Sequence, residues 1–173
     1  MADVQDKAGG KAPDEYPCLT EPISNEGVNM TDEKALEILR QIFAGNRFTQ
    51  YVGIIIDEVS YGKAKLSLPI DAGIHANLTG HVHGGALYTL ANTAAGVAAM
   101  STGRFIVTQS MTVNYSRNIV PGDTATCYAR VTHAGRRMVD LTADIYDGQG
   151  RLMVNAVIAM FVTGYSSLIP AKW

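Results

Sequence analysis

The chain is short of charge, of cysteine and of long apolar runs. Its 173 residues hold 14 Lys and Arg against 16 Asp and Glu, a formal net charge of −2. With no basic stripe, nucleic acid is not an expected partner. The two cysteines, Cys18 and Cys127, form no spaced motif, so no disulfide framework is expected. The first residues lack the basic start and apolar run of a signal peptide, which makes a cytoplasmic protein the expectation. The apolar stretch at 86–100 falls short of the roughly 20 residues that cross a bilayer, so no membrane is expected as a partner. No internal repeat is visible. The length fits one domain able to bury a core without disulfides or metal.

That apolar stretch is the feature around which the chain is organised. Residues 86–100 carry no charge and follow His83-Gly84-Gly85. A helix that is apolar nearly all round is enclosed by other structure. Among its few polar groups, Tyr88, Thr89 and Asn92 stand three and four apart and share one face with Gly85 and Gly96. Two readings fit. Gly84 and Gly85 make a tight turn and Asn92 is a satisfied core amide; or the unpaired N–H groups at the helix start, aided by the helix dipole, receive an anion or a carbonyl oxygen.

Residues 1–30 are polar and rich in Gly, Pro and charge, and are expected to form a flexible tail, with Tyr16 and Leu19 as possible anchor points; 31–173 form the domain. Thr31 is a plausible N-cap for a short amphipathic helix that carries Ala35, Ile38, Leu39 and Ile42 and ends at Gly45-Asn46. Strands are expected at 51–59 and 63–69, then at 104–119, 124–133, 137–146 and 151–163. The turns between them are too short for parallel crossovers, so the sheet is antiparallel. Strands of about 35 Å can wrap a helix of about 22 Å. The fold class is α+β. The segment 164–173 receives no assignment.

This order, with His-Gly-Gly opening the wrapped helix, resembles the hotdog-fold acyl-CoA thioesterases of the phenylacetic-acid-pathway (PaaI-like) type. The resemblance covers about residues 46–163. It is carried by Asn77 to Gly85, Leu90-Ala91, the strand from Thr108 to Tyr115, and Pro121-Gly122-Asp123. It implies a hotdog fold, hydrolysis of acyl-CoA thioesters, and no cofactor beyond coenzyme A as part of the substrate. It also implies a homodimer or a dimer of dimers (a homotetramer). By the resemblance, the N–H of Gly84 meets the thioester carbonyl, Asn77 and His83 shape the turn, and Thr108 helps to place water. The family has a carboxylate nine residues after the His; here that position is Asn92.

Spacing alone supports a shared site. Nine helical residues span about 13 Å, so His83 and Asn92 of one chain cannot touch one substrate carbon together. Two copies with antiparallel helices about a two-fold axis can bring them together. An asparagine amide is neither a base nor a nucleophile at neutral pH. Its presence fits an engineered replacement, a relative that binds without rapid hydrolysis, or a site where another group takes over, and no clear substitute is visible. Arg117, and Gly135 with Arg136 and Arg137 in a hairpin turn, are candidates for the coenzyme A phosphates, although turn arginines are commonly just solvated. Gly85, Tyr88 and Leu87, with Phe43 and Phe48, are placed around the acyl group, which points to an aryl or short to medium chain. His75, His81 and His83 cluster in sequence, but no cysteine or placed carboxylate completes a metal site, and none is expected. The alternative to an enzyme is a non-catalytic acyl-CoA binding module. A hotdog dehydratase ranks last, because it needs a helix carboxylate.

Overall fold

The computed structural model describes residues 18–19, 21–23 and 29–173. The expected tail at 1–30 lies mostly outside these, as does Tyr16. Within that stretch, β1 (Cys18–Leu19) pairs antiparallel with the last strand.

Helix α1 (Asp32–Ala44) starts where expected. Thr31 accepts from the Lys34 N–H at 3.3 Å, and Gly45 and Asn46 close the helix by donating to the Ile42 and Phe43 carbonyls in turn. Ala35 and Leu39 form its buried stripe. The Arg40 guanidinium donates to the Ile56 carbonyl at 2.9 and 2.6 Å, tying α1 to the neighbouring strand.

The next element differs from the expectation. Residues 47–52 form a second helix, α2 (Arg47–Val52), and strand β2 (Ile55–Ser60) begins four residues later than the expected start at 51. The apolar, β-branched run around Tyr51 to Ile56 reads as strand. Local capping overrides it: Asn46 accepts from the Thr49 N–H at 3.1 Å, and Gly53, at φ +79°, ends the helix.

The remaining elements follow the expected order: β3 (Lys63–Pro69), a short α3 (Ala72–His75) inside the expected loop, α4 (Gly84–Met100), β4 (Arg104–Tyr115), β5 (Thr124–Ala134), β6 (Met138–Tyr146) and β7 (Leu152–Ser166). The strands pair antiparallel as β4-β7-β6-β5-β3-β2, and α4 packs against all six. This is the antiparallel sheet wrapped around a central helix, the hotdog arrangement. Alternation puts Leu66, Leu68, Leu141, Ile145, Ile158 and Met160 on the side that meets Leu87, Leu90 and the alanines of α4. The helix is also the longest; among the described residues no helix is long and apolar enough to cross a membrane.

The two flanks of the sheet are not alike. Arg40 covers carbonyls of β2. The other edge strand, β4, pairs with β7 on one side and with no strand on the other among the described residues.

The C-terminal residues, unassigned from sequence, fold back over the C-terminal end of α4. Ile169 is fully buried, the Trp173 indole N–H donates to the Ser101 carbonyl at 2.8 Å, and Tyr61 packs edge-on against Trp173. Gly103 turns the chain there at φ +72°, where a Cβ would lie 2.6 Å from the Ile169 carbonyl oxygen.

Candidate active site

The approach to α4 is built by hydrogen bonds that consume most of its polar side chains. Asp71 caps α3 through the Gly73 N–H at 2.7 Å. His75 is buried; its Nδ1 accepts from the Asp71 N–H at 3.0 Å and its Nε2 donates to the Val52 carbonyl at 2.8 Å. The Asn77 Oδ1 accepts from the Thr79 N–H, the Thr79 hydroxyl and the His81 N–H, at 2.9, 2.8 and 3.1 Å. Asn77 therefore holds the loop 77–81 together through its own side chain. The three histidines are separately engaged: His75 under α2, His81 with the Thr79 hydroxyl at 3.0 Å, and His83 as the cap of α4. No group of three or more His, Cys, Asp or Glu able to hold a metal occurs among the described residues.

His83 corrects one local expectation. The two glycines are not a turn ahead of the helix; they are its first two residues, and His83 is the N-cap, its Nδ1 accepting from the Gly85 N–H at 2.9 Å. The Gly84 N–H, at the first helical position, has no partner among the described residues. It is an orphan donor at the positive end of the helix dipole. Beside it opens a cavity of about 300 Å³ lined by Val82, Gly84, Leu87, Tyr115, Ser116, Arg117 and Asn118.

Gly85, Tyr88, Thr89 and Asn92 reach the surface along one stripe of α4, while Gly96, expected on the same face, is enclosed against Ile106, and Leu87, Leu90 and Ala91 are buried. Thr89 spends its hydroxyl on the Gly85 carbonyl. Asn92 is different. Its Oδ1 accepts from the Thr108 hydroxyl at 2.7 Å, which links α4 to β4. A register shift in β4 between Thr108 and Ser110 marks that spot. With Oδ1 held by Thr108, the remaining polar group of Asn92 is an N–H₂ donor. Asn92 and Gly84 are eight residues apart, about 12 Å along the helix.

The arginines divide. Arg117 borders the Gly84 cavity and also donates to the Leu152 carbonyl at 3.1 Å. The hairpin of Gly135, Arg136 and Arg137 stands at the other end of α4. Arg104 connects them, donating to the Gly135 carbonyl at 3.3 Å and to Thr102 at 2.9 and 3.0 Å. One chain therefore does not bring Arg136 or Arg137 to Gly84; both are exposed, about 25 Å away along the helix. Phe43 is half-buried against the core and Phe48 is exposed, and neither lines the cavity.

Sequence reasoning missed Tyr115. Its hydroxyl donates to the Gly84 carbonyl at 2.9 Å and its ring covers Gly84. Partial burial and then the neighbouring Tyr88 raise the Tyr115 phenol above its ordinary range. The available signal was its place at the end of the strand that carries the resemblance, two residues before Arg117.

Comparison with known proteins agrees with this geometry. The family model described as "Thioesterase superfamily" matches residues 79–154. The acyl-coenzyme A thioesterase PaaI of Escherichia coli K12 is 31% identical over 106 residues, which is 60% of this chain and 74% of that one. The structure of E. coli PaaI, from the phenylacetic acid degradation operon, superposes with a TM-score of 0.74 at 25% identity, covering 79% of this chain and 99% of that one. A hypothetical thioesterase from Streptococcus pneumoniae, solved with coenzyme A, gives 0.69 at 27% identity over 73% and 98% of the two chains. The Streptococcus mutans protein smu.793, bound to acetyl CoA, gives 0.64 at 25% identity over 66% and 92%. The S. pneumoniae protein has also been solved with an aspartate changed to alanine and, separately, a threonine changed to alanine. Those two positions are 16 residues apart in that chain, the separation of Asn92 and Thr108 here. A wrapped helix, an open glycine N-terminus and a helix-to-strand polar pair at that separation agree with what the identities show: the chain belongs to the PaaI-like hotdog thioesterases of the thioesterase superfamily.

Proposed function

We propose that this chain is an acyl-CoA thioesterase for small aryl or short to medium acyl groups, slowed by Asn92, with a site completed by a second copy. The observation that carries the reading is the Gly84 N–H at the head of α4, without a partner among the described residues and opening on a cavity of about 300 Å³. A preorganised N–H at a helix start stabilises the charge that develops on a thioester oxygen under attack. Val82 and Leu87 give the cavity an apolar wall for the acyl group, and Tyr115, Ser116, Arg117 and Asn118 a polar one. The relatives solved with coenzyme A and acetyl CoA support an acyl-CoA ligand.

Asn92 and Thr108 stand where a carboxylate and its hydroxyl partner would place water. An amide there orients a water but does not take its proton, and loss of a positioned base costs about 10² to 10⁴ in rate. The same fact favours a second reading, an acyl-CoA binding module that holds thioesters without turnover.

The distance between Gly84 and Asn92 supports a shared site. Antiparallel pairing of two α4 helices sets Gly84 of one copy beside Asn92 of the other. It also swings the Arg136 and Arg137 hairpin of one copy towards the open helix end of the other, where coenzyme A phosphates need cations. The unpaired edge of β4 and the exposed stripe of α4 support such a seam. Exposed Val107, Val157 and Phe161, on the outer face of the sheet, support a further pairing into a homotetramer.

The test is hydrolysis of phenylacetyl-CoA and a panel of short acyl-CoAs, read by release of free thiol, for the chain as it stands and for Asn92→Asp. The expected result is slow release by the first and at least hundredfold faster release by the second. Equal rates would remove Asn92 from the mechanism. Tight binding with no release by the unaltered chain favours the binding module.

A further inference from the structure

Two consecutive glycines open α4, and glycine is the residue with the most backbone freedom to lose. The Gly84–Gly85 peptide is nevertheless gripped at both poles. Its N–H donates to the His83 Nδ1 at 2.9 Å, and its carbonyl accepts from the Tyr115 hydroxyl at 2.9 Å. The Tyr115 ring lies flush with Gly84, where a Cβ would come within 3.3 Å of Cζ. Tyr115 is the last residue of β4, paired with Val154 of β7, so this grip comes from the sheet and not from the loop. The two grips have different origins: His83 belongs to the loop that leads into the helix, Tyr115 to the end of strand β4.

We propose that Tyr115 is a positioning residue for the Gly84 N–H. By holding the Gly84 carbonyl it fixes the Gly84 backbone, and so the direction in which the free N–H of the preceding peptide points. A phenol is protonated, and a donor, across the neutral range, and partial burial and Tyr88 move this one further from ionisation. The assignment rests on the thioester reading above and adds to it a residue outside the loop and the helix. It also explains the close approach: a side chain at position 84 would push the ring, and the hydroxyl with it, off the carbonyl.

The test compares two ligands by calorimetry on the unaltered chain and on Tyr115→Phe. One is a short acyl-CoA; the other is the S-alkyl-CoA thioether of equal length, with CH₂ in place of the carbonyl. The unaltered chain prefers the thioester. Tyr115→Phe keeps the ring and lowers thioester affinity about three- to tenfold, the size of one hydrogen bond, while thioether affinity holds. Equal weakening of both ligands, or no change in either, overturns the proposal. If the unaltered chain binds neither ligand, or shows no thioester preference, the functional reading itself fails and this assignment falls with it. Amide exchange in the ligand-free protein gives an independent arm: Tyr115→Phe speeds exchange at Gly85 and leaves Leu90 unchanged. Unchanged exchange at Gly85 also contradicts the grip.

Discussion

The two ends of α4 are built to opposite purposes. At the C-terminal end every group is tied down. The Ser101 hydroxyl bonds to the Gly62 N–H and to the Ser60 and Ala98 carbonyls, Thr102 bonds back to Ala99, and Trp173 closes over the Ser101 carbonyl. At the N-terminal end the Gly84 N–H is left open beside a cavity, and the residues around it brace that opening without filling it. One helix is thus sealed at one end and open at the other, and the function proposed above puts its chemistry at the open end. An orphan donor at a helix start is tolerable in the fold because water can satisfy it, and useful because a substrate oxygen can replace that water.

The contrast can be broken from either end. The largest effect is expected from Gly84→Pro in the Asn92→Asp background. Proline is well accepted at the first helical position, and His83 at ψ +130° suits a following proline. The change removes the donor and, through the ring carbons it adds, also displaces Tyr115 from the carbonyl of residue 84. Thiol release should fall about 10² to 10³-fold, with a thermal midpoint within a few degrees of the parent. A large loss of stability with that substitution would mean that the open end is structural after all. The next effect is at the sealed end. Gly103→Ala places a side chain at φ +72° and drives a Cβ onto the Ile169 carbonyl. It should cost about 3 kcal/mol in denaturant unfolding while acyl-CoA affinity per folded molecule is kept. The smallest effect lies away from both ends. Burial works to raise the Asp147 carboxylate, but hydrogen bonds from the Arg151 backbone and guanidinium and from the Gln149 N–H bring it below its ordinary value of 3.8. A carboxyl lowered by folding contributes stability above its ordinary range, and that contribution is lost as pH falls through the folded value. The difference in melting temperature between the parent and Asp147→Asn should therefore be present at pH 6 and shrink towards pH 3. A constant difference would show that the charge is not what matters.

Much of this contrast is legible in the sequence. The uncharged run after His-Gly-Gly announces an enclosed helix, and β3 and the turns at 120–123 and 147–150 follow from alternation and turn residues. Where reading failed, either local caps or contacts between distant segments decide. The run from Tyr51 to Ile56 has strand composition, but the Asn46 cap and Gly53 bend its first part into α2. The last ten residues have no periodicity of their own; they are placed by Trp173 and Ile169 finding the end of α4. In the site, spacing placed Gly85, Tyr88 and Asn92 on one face and resemblance pointed to Asn92 and Thr108 separately; their hydrogen bond is visible only in the structure. The position of Tyr115 beside Arg117 was a signal, but its meeting with Gly84 was not legible, because it depends on the register of β4 on β7, which neither segment encodes alone. Arg136 and Arg137 show the converse. Their sequence says only "turn", and the sheet carries that turn to the far end of the helix.

The central claim is that Gly84 of one copy serves the residue at position 92 of another. Co-expression of two chains tests it most directly: one carries Gly84→Pro together with Asn92→Asp, the other is unaltered. Alone, the first lacks the donor and the second lacks the carboxylate, so both should be slow. In random mixed pairs, one site in two regains both groups, and about a quarter of the Asn92→Asp rate should return. A mixture no faster than the average of the two parents would place the whole site within one chain and contradict the account.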